Sequence, residues 1–234
     1  MKNNLIIHLP HSSLYIPDEY RKTALISQQE LDEENLFMCD TGIIELIPEA
    51  FKENAVVFPY SRLYTDVERF RDGSEPMEAY GMGFVYTKDS RGKEMFRPDA
   101  EHIEKVSRIY DEHHDTLDAH VSDVLAEYGS CIIIDLHSYS DEAVDRLFGY
   151  RNCPDVCIGI EPDCYDEEFI DAIITICKKM SLTTEINYPY KGSIVPNKFY
   201  GKKNTGIVSV MLEINKRVLR HRTSSPENRP CTMR

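Results

Sequence analysis

The feature that most constrains the fold is an apolar run that ends in polar residues, Ile-Ile-Ile-Asp-Leu-His-Ser over residues 132–138. Three consecutive isoleucines favour a buried β-strand. In sheets of parallel strands, ligands bind beyond the carboxyl ends of the strands, where Asp135, His137 and Ser138 fall. An imidazole can bind a metal through one ring nitrogen while a carboxylate holds the other. The Asp-x-His pair alone fits both a metal site and an ordinary strand end, so other motifs must decide.

Two further apolar runs end in the same way. Residues 5–9 (Leu-Ile-Ile-His-Leu) lead into Pro10 and His11, and residues 206–212 lead into Glu213. His8 lies inside its apolar run and is predicted to be a core histidine, whereas His11 follows a proline in a loop. Two imidazoles and carboxylates form a zinc ligand set with a general base. Because no spacing is a compact zinc signature, the residues alone leave the metal open.

Composition fits a single enzyme domain. The chain has 234 residues and no Gly/Ser/Pro linker that would divide it. Its 40 acidic and 27 basic residues give a formal charge of −13, which argues against nucleic acid or an anionic membrane as the main partner. No apolar run approaches the roughly 18 residues of a membrane span, and no signal peptide is recognisable, which predicts a cytoplasmic protein. The seven scattered cysteines predict free thiols, with a cysteine nucleophile as a weak alternative.

Helical and strand patterns alternate along the chain. Apolar periodicity predicts helices over residues 28–37, 41–51, 103–129 and 167–180, and further strands over residues 55–59, 156–160 and 183–186. Residues 71–98 are rich in Gly, Pro and charge, which is typical of a long ordered loop over a site. In the longest helix, His113, His114 and His120 are predicted to pack or lie on its surface, and His114 is the candidate to watch. The alternation indicates an α/β sandwich with a largely parallel sheet.

The order of the motifs resembles that of the N-formylglutamate amidohydrolase family, from the first strand to about Arg217. Each motif is weak alone, and six in the family's order make a strong match. The six are Pro10-His11-Ser12-Ser13, residues 61–69 (Ser-Arg-Leu-Tyr-Thr-Asp-Val-Glu-Arg), Asp135-Leu136-His137-Ser138, Leu147-Phe148-Gly149, residues 187–192 (Asn-Tyr-Pro-Tyr-Lys-Gly) and Leu212-Glu213-Ile214-Asn215.

The resemblance implies a fold like that of the zinc carboxypeptidases. This is a three-layer α/β sandwich around a mostly parallel mixed sheet, with one zinc ion at the carboxyl edge of the strands. Two of the zinc ligands would be His11 and His137. The third would be an acidic residue between the first two strands, for which Asp40 is our choice, with Glu33 and Glu34 as alternatives.

The resemblance also implies the reaction, which is zinc-dependent hydrolysis of the amide bond of an N-acyl amino acid, most specifically N-formylglutamate. Glu213 would be the general base, and Asp135 and Ser138 would support the zinc ligands. The catalytic domain would span residues 1–220, followed by a poorly ordered polar tail over residues 221–234. The alternatives are a metallocarboxypeptidase-like deacylase or peptidase on another substrate, and a small-molecule or metal-binding module without turnover.

Basic residues near these motifs predict how an anionic substrate is recognised. A planar guanidinium pairs with a carboxylate through two hydrogen bonds, which makes Arg62 and Arg69 candidates. Arg146 and Asn187 are further candidates, although Arg146 is as readily a solvated surface group. Where the family has Asn, this chain has Glu68, a negative charge beside the expected binding groups. We therefore expect Glu68 to oppose a second substrate carboxylate unless it pairs with one of the arginines.

Overall fold

The computed structural model describes residues 3–224, with side chains for residues 3–220. Its strands are β1 (Leu5–Leu9), β2 (Ala55–Val57), β3 (Cys131–Tyr139), β4 (Val156–Ile160), β5 (Thr184–Ile186) and β6 (Ile207–Asn215). Its α-helices are α1 (Asp18–Arg21), α2 (Gln28–Met38), α3 (Ala100–Tyr128), α4 (Asp141–Phe148), α5 (Glu167–Lys179) and α6 (Lys216–Ser224). The tail predicted from residue 221 onward lies largely outside the described residues, and helix α6 covers its first four positions.

The six strands form one sheet in the order β2-β1-β3-β6-β4-β5. Neighbouring strands are parallel except for β4 and β6, which pair antiparallel. Helix α3 packs on one face of the sheet, and α5 packs on the other. The predicted α/β class with a mostly parallel, mixed sheet is confirmed. None of the helices within residues 3–224 is long and apolar enough to cross a membrane.

Strand β3 shows how the sheet changes from core to site along a single face. Side chains two residues apart share a face of a strand. Cys131 and Ile133 pack against Leu117 and Val121 of α3. Asp135 and His137 continue on that same face, so the polar pair follows directly from the buried core.

Strand register then brings polar residues of three strands together. In parallel pairs, His8 of β1 is opposite Asp135, and Glu213 of β6 is opposite His137. Residues opposite each other in a parallel pair point to the same face. All four side chains are therefore directed to the α3 side of the sheet.

Local signals set the ends of the two helices that flank this side. At the start of α2, the Ser27 side chain accepts from the Glu30 N–H, and the Glu30 carboxylate accepts from the Ser27 N–H, which is a capping box. Helix α3 begins after Asp99, whose side chain accepts from the His102 N–H. It ends at Gly129, which has a φ of 73°, as predicted for a glycine C-cap.

The prediction of an α-helix over residues 41–51 is wrong. The structure instead has two short 3-10 segments, Ile44–Leu46 and Glu49–Asn54, on either side of Pro48. Proline lacks an N–H and disfavours helical geometry in the residue before it, and Ile47 is accordingly extended. Gly42, with a φ of 81°, ends the preceding turn. The apolar spacing was right for burial, since Ile43 and Ile47 are core residues, but not for an α-helix.

The segment over residues 71–98 is a long ordered connection, as its composition predicted. It contains a short 3-10 helix, Pro76–Tyr80, and two isolated bridges, Met82 with Tyr86 and Lys88 with Glu94. Several of its side chains are buried in the largest hydrophobic cluster, which anchors the segment: Met82, Tyr86, Met95 and Phe96. Met77 and Tyr86 reach the cavity described next.

Candidate active site

A cavity of about 610 Å³ opens beyond the carboxyl ends of strands β1 and β3, beside the connection that follows β2. Nine of the ten residues proposed for the site from the sequence line it, and so does Glu68. The nine are His11, Asp40, Arg62, Arg69, Asp135, His137, Ser138, Asn187 and Glu213. Its lining also includes apolar and aromatic side chains, among them Phe37, Phe148 and Tyr190. Polar groups that converge within an apolar cavity wall are typical of a small-molecule site.

His11 is held in place through one ring nitrogen only. Its Nε2 contacts Oδ1 of Asp66 at 2.9 Å, and both residues are buried. Its Nδ1 is also buried and has no hydrogen-bond partner. Burial and the nearby Arg62 charge lower the pKa of His11 despite Asp66, which favours a neutral imidazole. A neutral imidazole with an unsatisfied, buried nitrogen has the properties of a metal ligand.

His137 is surrounded by carboxylates. Its Nδ1 lies 3.0 Å from Oδ2 of Asp40, and its Nε2 lies 3.1 Å from Oδ1 of Asp135 and 3.3 Å from Oε2 of Glu68. Burial opposes its protonation, but Glu68 and Asp135 outweigh burial and hold the pKa of His137 well above its ordinary value. An environment that favours a positive charge on this ring also favours a bound cation.

Two carboxylates reach both imidazoles. Oδ2 of Asp40 lies 3.8 Å from Nδ1 of His11, and Oε2 of Glu68 lies 3.7 Å from the same nitrogen. His11, Glu68 and His137 offer three ligand atoms that all lie within 4.8 Å of one another. Glu68 was not among the ligands expected from the sequence, because the resemblance directed attention to its charge beside the arginines.

Glu213 lies beside this group in the sheet. It is 8% exposed, and its Oε2 has no hydrogen-bond partner in the described structure. Burial, with Asp40 and Glu68 nearby, raises the pKa of Glu213 to about 8 against the opposing influence of His137 and Arg62. A carboxyl group with a pKa near neutrality can both accept and return a proton.

The two arginines differ in how far they are committed to protein partners. Arg62 donates from Nε and Nη2 to Oδ2 of Asp66, at 3.1 and 2.8 Å. Nε of Arg69 is buried without a hydrogen-bond partner, and its nearest carboxylate oxygens, on Asp66 and Glu75, are 3.7 and 3.9 Å away. Neither arginine forms an ion pair with Glu68 among the described contacts. Arg69 is therefore the guanidinium more available to a substrate anion.

Other predicted residues have mixed placements. Arg146 does not line the cavity, because it donates to Ser90 and Glu142 and lies over the Phe37 ring. Glu34 is buried but accepts from the N–H and the hydroxyl of Ser90, and Glu33 is exposed on α2. The structure therefore brings none of these three to the site.

Asn187 and Ser138 do line the cavity. The Asn187 side-chain oxygen accepts from the N–H groups of Ile160 and Gly192, so its amide holds the local turn. The Ser138 hydroxyl is buried without a partner. Asp135 lies between two histidines, since its Oδ1 also contacts Nδ1 of His8 at 2.8 Å.

Sequence reasoning missed the roles of Asp66, Glu68 and His8. His8 is a core residue, as predicted, but its side chain contacts Asp135, and its Nε2 lies 2.9 Å from Nε2 of His113. The sequence signal was the strand period, because His8 is two residues after Ile6 and shares its face of β1; the structure adds that His8 is opposite Asp135. His113 and His114 are both buried, and His114 lines the cavity.

Comparisons with known proteins agree with this architecture. The family model described as N-formylglutamate amidohydrolase matches residues 3–220. The structure is similar to that of N-formylglutamate amidohydrolase from Ralstonia eutropha JMP134, with a TM-score of 0.76 and 19% identity over 92% of this chain and 82% of that one. A gene product from Agrobacterium tumefaciens is similar too, with a TM-score of 0.70 and 19% identity over 93% of this chain and 82% of that chain. No curated protein matches the sequence.

Proposed function

Because the chain belongs to the N-formylglutamate amidohydrolase family, we propose that it is a zinc-dependent hydrolase of N-acyl amino acids, with N-formylglutamate as the leading substrate. The family supports amide hydrolysis of this type. The observation that carries the metal is the buried, unpartnered Nδ1 of His11, which faces His137 and two carboxylates.

The donor set fits zinc. Two imidazoles and a carboxylate are the protein ligands of many catalytic zinc sites. We take His11, His137 and Glu68 as the ligands, because their ligand atoms lie within 4.8 Å of one another. Asp40, the third ligand expected from the resemblance, contacts the opposite ring nitrogen of His137 and would orient that ring instead. Asp66 gives the same support to His11.

When bound, zinc supplies Lewis-acid polarisation of the amide carbonyl and makes water nucleophilic at neutral pH. Glu213 takes a proton from the attacking water and later returns it to the departing amine. Its position opposite His137 in the sheet supports this role, because it brings the Glu213 carboxyl group close to a proposed ligand. Arg69 binds the substrate carboxylate through its unpartnered guanidinium edge, while Arg62 keeps Asp66 ionised and in place.

The test combines metal analysis with a panel of N-acyl amino acids. We expect the purified protein to bind zinc and to hydrolyse N-formylglutamate, and we expect His137→Ala to lose both properties. His120→Ala is the matched control, since His120 is an exposed residue of α3 that does not line the cavity. Full amide hydrolysis after exhaustive chelation would refute the zinc mechanism, and activity confined to peptides would refute the substrate class.

A further inference from the structure

A second group of potential metal ligands adjoins the first on the α3 side of the sheet. His8, Glu68 and Asp135 offer ligand atoms that all lie within 4.8 Å of one another. His8 and Asp135 are each 1% exposed, and the Glu68 side chain is 15% exposed. Glu68 is the one described residue that belongs to both groups.

The two oxygens of Glu68 face different sets of nitrogens. Oε2 lies 3.3 Å from Nε2 of His137 and 3.7 Å from Nδ1 of His11, whereas Oε1 lies 3.7 Å from Nδ1 of His8. The described contacts include no hydrogen bond accepted by this carboxylate. A carboxylate with one oxygen toward each of two donor sets has the arrangement of a bridging ligand.

Each imidazole nitrogen carries at most one hydrogen, so the two histidines cannot donate a hydrogen bond to every carboxylate oxygen that faces them. Nδ1 of His8 faces Oδ1 of Asp135 at 2.8 Å and Oε1 of Glu68 at 3.7 Å, but it can carry only one hydrogen. Nε2 of His137 likewise faces both carboxylates. Asp135 also accepts from the Ile194 N–H, whereas Glu68 shares its nearest ring nitrogens with other carboxylates and accepts no described hydrogen bond. A partly buried carboxylate without a donor is costly.

We propose that His8, Asp135 and Glu68 bind a second divalent transition-metal ion, bridged by the Glu68 carboxylate to the ion held by His11 and His137. The inference rests on the metal centre of the proposed function. One imidazole and two carboxylates suit zinc, manganese or iron(II). Four-coordinate sites with bonds near 2 Å place ligand atoms about 3.3 Å apart, and the contacts of His8 Nδ1 at 2.8 and 3.7 Å bracket this value.

His113 gives His8 the partner that such a ligand needs. A histidine that binds a metal through Nδ1 carries its proton on Nε2 and usually donates it to a neighbouring acceptor. Nε2 of His8 faces Nε2 of His113 at 2.9 Å, and a ring nitrogen of His113 that carries no hydrogen can accept that proton. Two bridged ions are an established arrangement in hydrolases, where both stabilise charge during displacement at one substrate.

The experiment measures metal stoichiometry directly. The full-length protein is stripped of metal, dialysed against Zn²⁺ and analysed for bound zinc per chain. We expect two ions in the wild type, one in His8→Gln, and two in the control His120→Gln. Two ions that persist in His8→Gln, or one ion in the wild type, would overturn the proposal. One ion with amide hydrolysis intact would leave the proposed function standing, whereas no bound ion would remove both.

A second measurement does not depend on the folding of the variant. Titration of the stripped wild-type protein with Mn²⁺ is followed by electron paramagnetic resonance. Two ions bridged by a carboxylate are expected to give an exchange-coupled spectrum at two equivalents. Saturation at one equivalent, or the uncoupled signal of two separate ions, would overturn the proposal.

Discussion

At the scale of single residues, the site is organised by which nitrogen of each histidine is already engaged. Asp66 contacts Nε2 of His11 and leaves Nδ1 without a partner. His137 is engaged at both edges, by Asp40 on Nδ1 and by Asp135 and Glu68 on Nε2. The third metal ligand can therefore be identified by finding which carboxylate, when neutralised by substitution, causes the larger loss of metal affinity.

Glu68→Gln and Asp40→Asn separate these two roles. If Glu68 is a ligand, Glu68→Gln loses a charged donor and should weaken zinc binding more than Asp40→Asn does. A carboxylate that only orients a ligand typically contributes about 10- to 100-fold in affinity, which is the loss expected for Asp40→Asn. Competition with a chromogenic chelator measures both. The reverse ranking would return the ligand role to Asp40.

Glu213→Gln tests the general base. The substitution keeps the size of the side chain and removes its ability to take a proton, so we expect kcat to fall by about 10²-fold or more while zinc stays bound. The control is Glu161→Gln, which alters another carboxylate of the cavity wall that belongs to neither metal-ligand group. Loss of zinc in Glu213→Gln would make Glu213 a ligand and reopen the search for the base.

The sequence was enough to predict that residues at the strand ends meet in one site, but not which residues would contact them. His11, His137 and Glu213 follow or end apolar runs, and the sheet geometry brings such positions to one edge. Glu68 and Asp66 lie in an irregular connection, and no periodicity indicates where its side chains point. A charge noted only as a departure from the family's Asn therefore turned out to face three imidazoles.

At the scale of elements, the connection after β2 supplies four charged residues in and around the site. Arg62, Asp66, Glu68 and Arg69 lie within eight consecutive positions of this irregular segment. The Ser61 hydroxyl donates to Asn35 of α2 and accepts from the Leu63 N–H, which fixes the start of the segment. The proposed recognition of the substrate therefore relies on an element that sequence patterns describe poorly.

Arg69→Ala tests recognition by this segment. If Arg69 pairs with the substrate carboxylate in a desolvated site, its removal should weaken binding by about 2–5 kcal/mol and appear mainly as a higher KM. Arg71→Ala is the control, because Arg71 pairs with Asp111 and does not line the cavity. Equal effects of the two substitutions would show that Arg69 acts through general charge and not through contact.

Helix α2 offers a pH-dependent test of its capping box. Hydrogen bonds from Lys93 and from the Ser27 backbone and side chain lower the pKa of Glu30 from 4.5 to about 2. A depressed carboxyl pKa stabilises the folded state above the unfolded pKa, and this contribution is lost as the pH falls through the folded value. The destabilisation caused by Glu30→Gln should therefore be largest above pH 4.5 and vanish towards pH 2.

Urea unfolding across this pH range provides the measurement. Glu33→Gln on the same helix is the control, since Glu33 is exposed and takes no part in the cap. A difference between wild type and Glu30→Gln that does not change with pH would mean that the cap does not act through the Glu30 charge.

At the scale of the whole molecule, the sheet order explains how distant sequence segments form one site. β1, β3 and β6 are neighbours in the sheet although more than 100 residues separate β1 from β3. Apolar runs with helical stretches between them were enough to predict the layers. The antiparallel direction of β4 was not predictable, because its apolar pattern is the same in either direction and only its pairing with β6 distinguishes them.

We expect the same convergence to make the stability of the folded state depend on a bound cation. Asp40, Asp135, Glu213 and Glu68 lie around His11 and His137, and most of these side chains are nearly inaccessible to solvent. Repulsion among buried carboxylates destabilises the fold unless positive charge offsets it. A ligand that binds only the folded state stabilises it by about 2.7 kcal/mol when present at 100 times its Kd.

We therefore expect zinc to raise the Tm of the wild-type protein and chelation to lower it, as measured by calorimetry at a fixed protein concentration. The gain should grow with zinc concentration, because the stabilisation depends on the logarithm of free metal over Kd. In His137→Ala, which lacks one of the two imidazoles central to the site, the same addition of zinc should shift Tm far less. An equal shift in both proteins would place the stabilising ion elsewhere and remove the link between this carboxylate cluster and the stability of the fold.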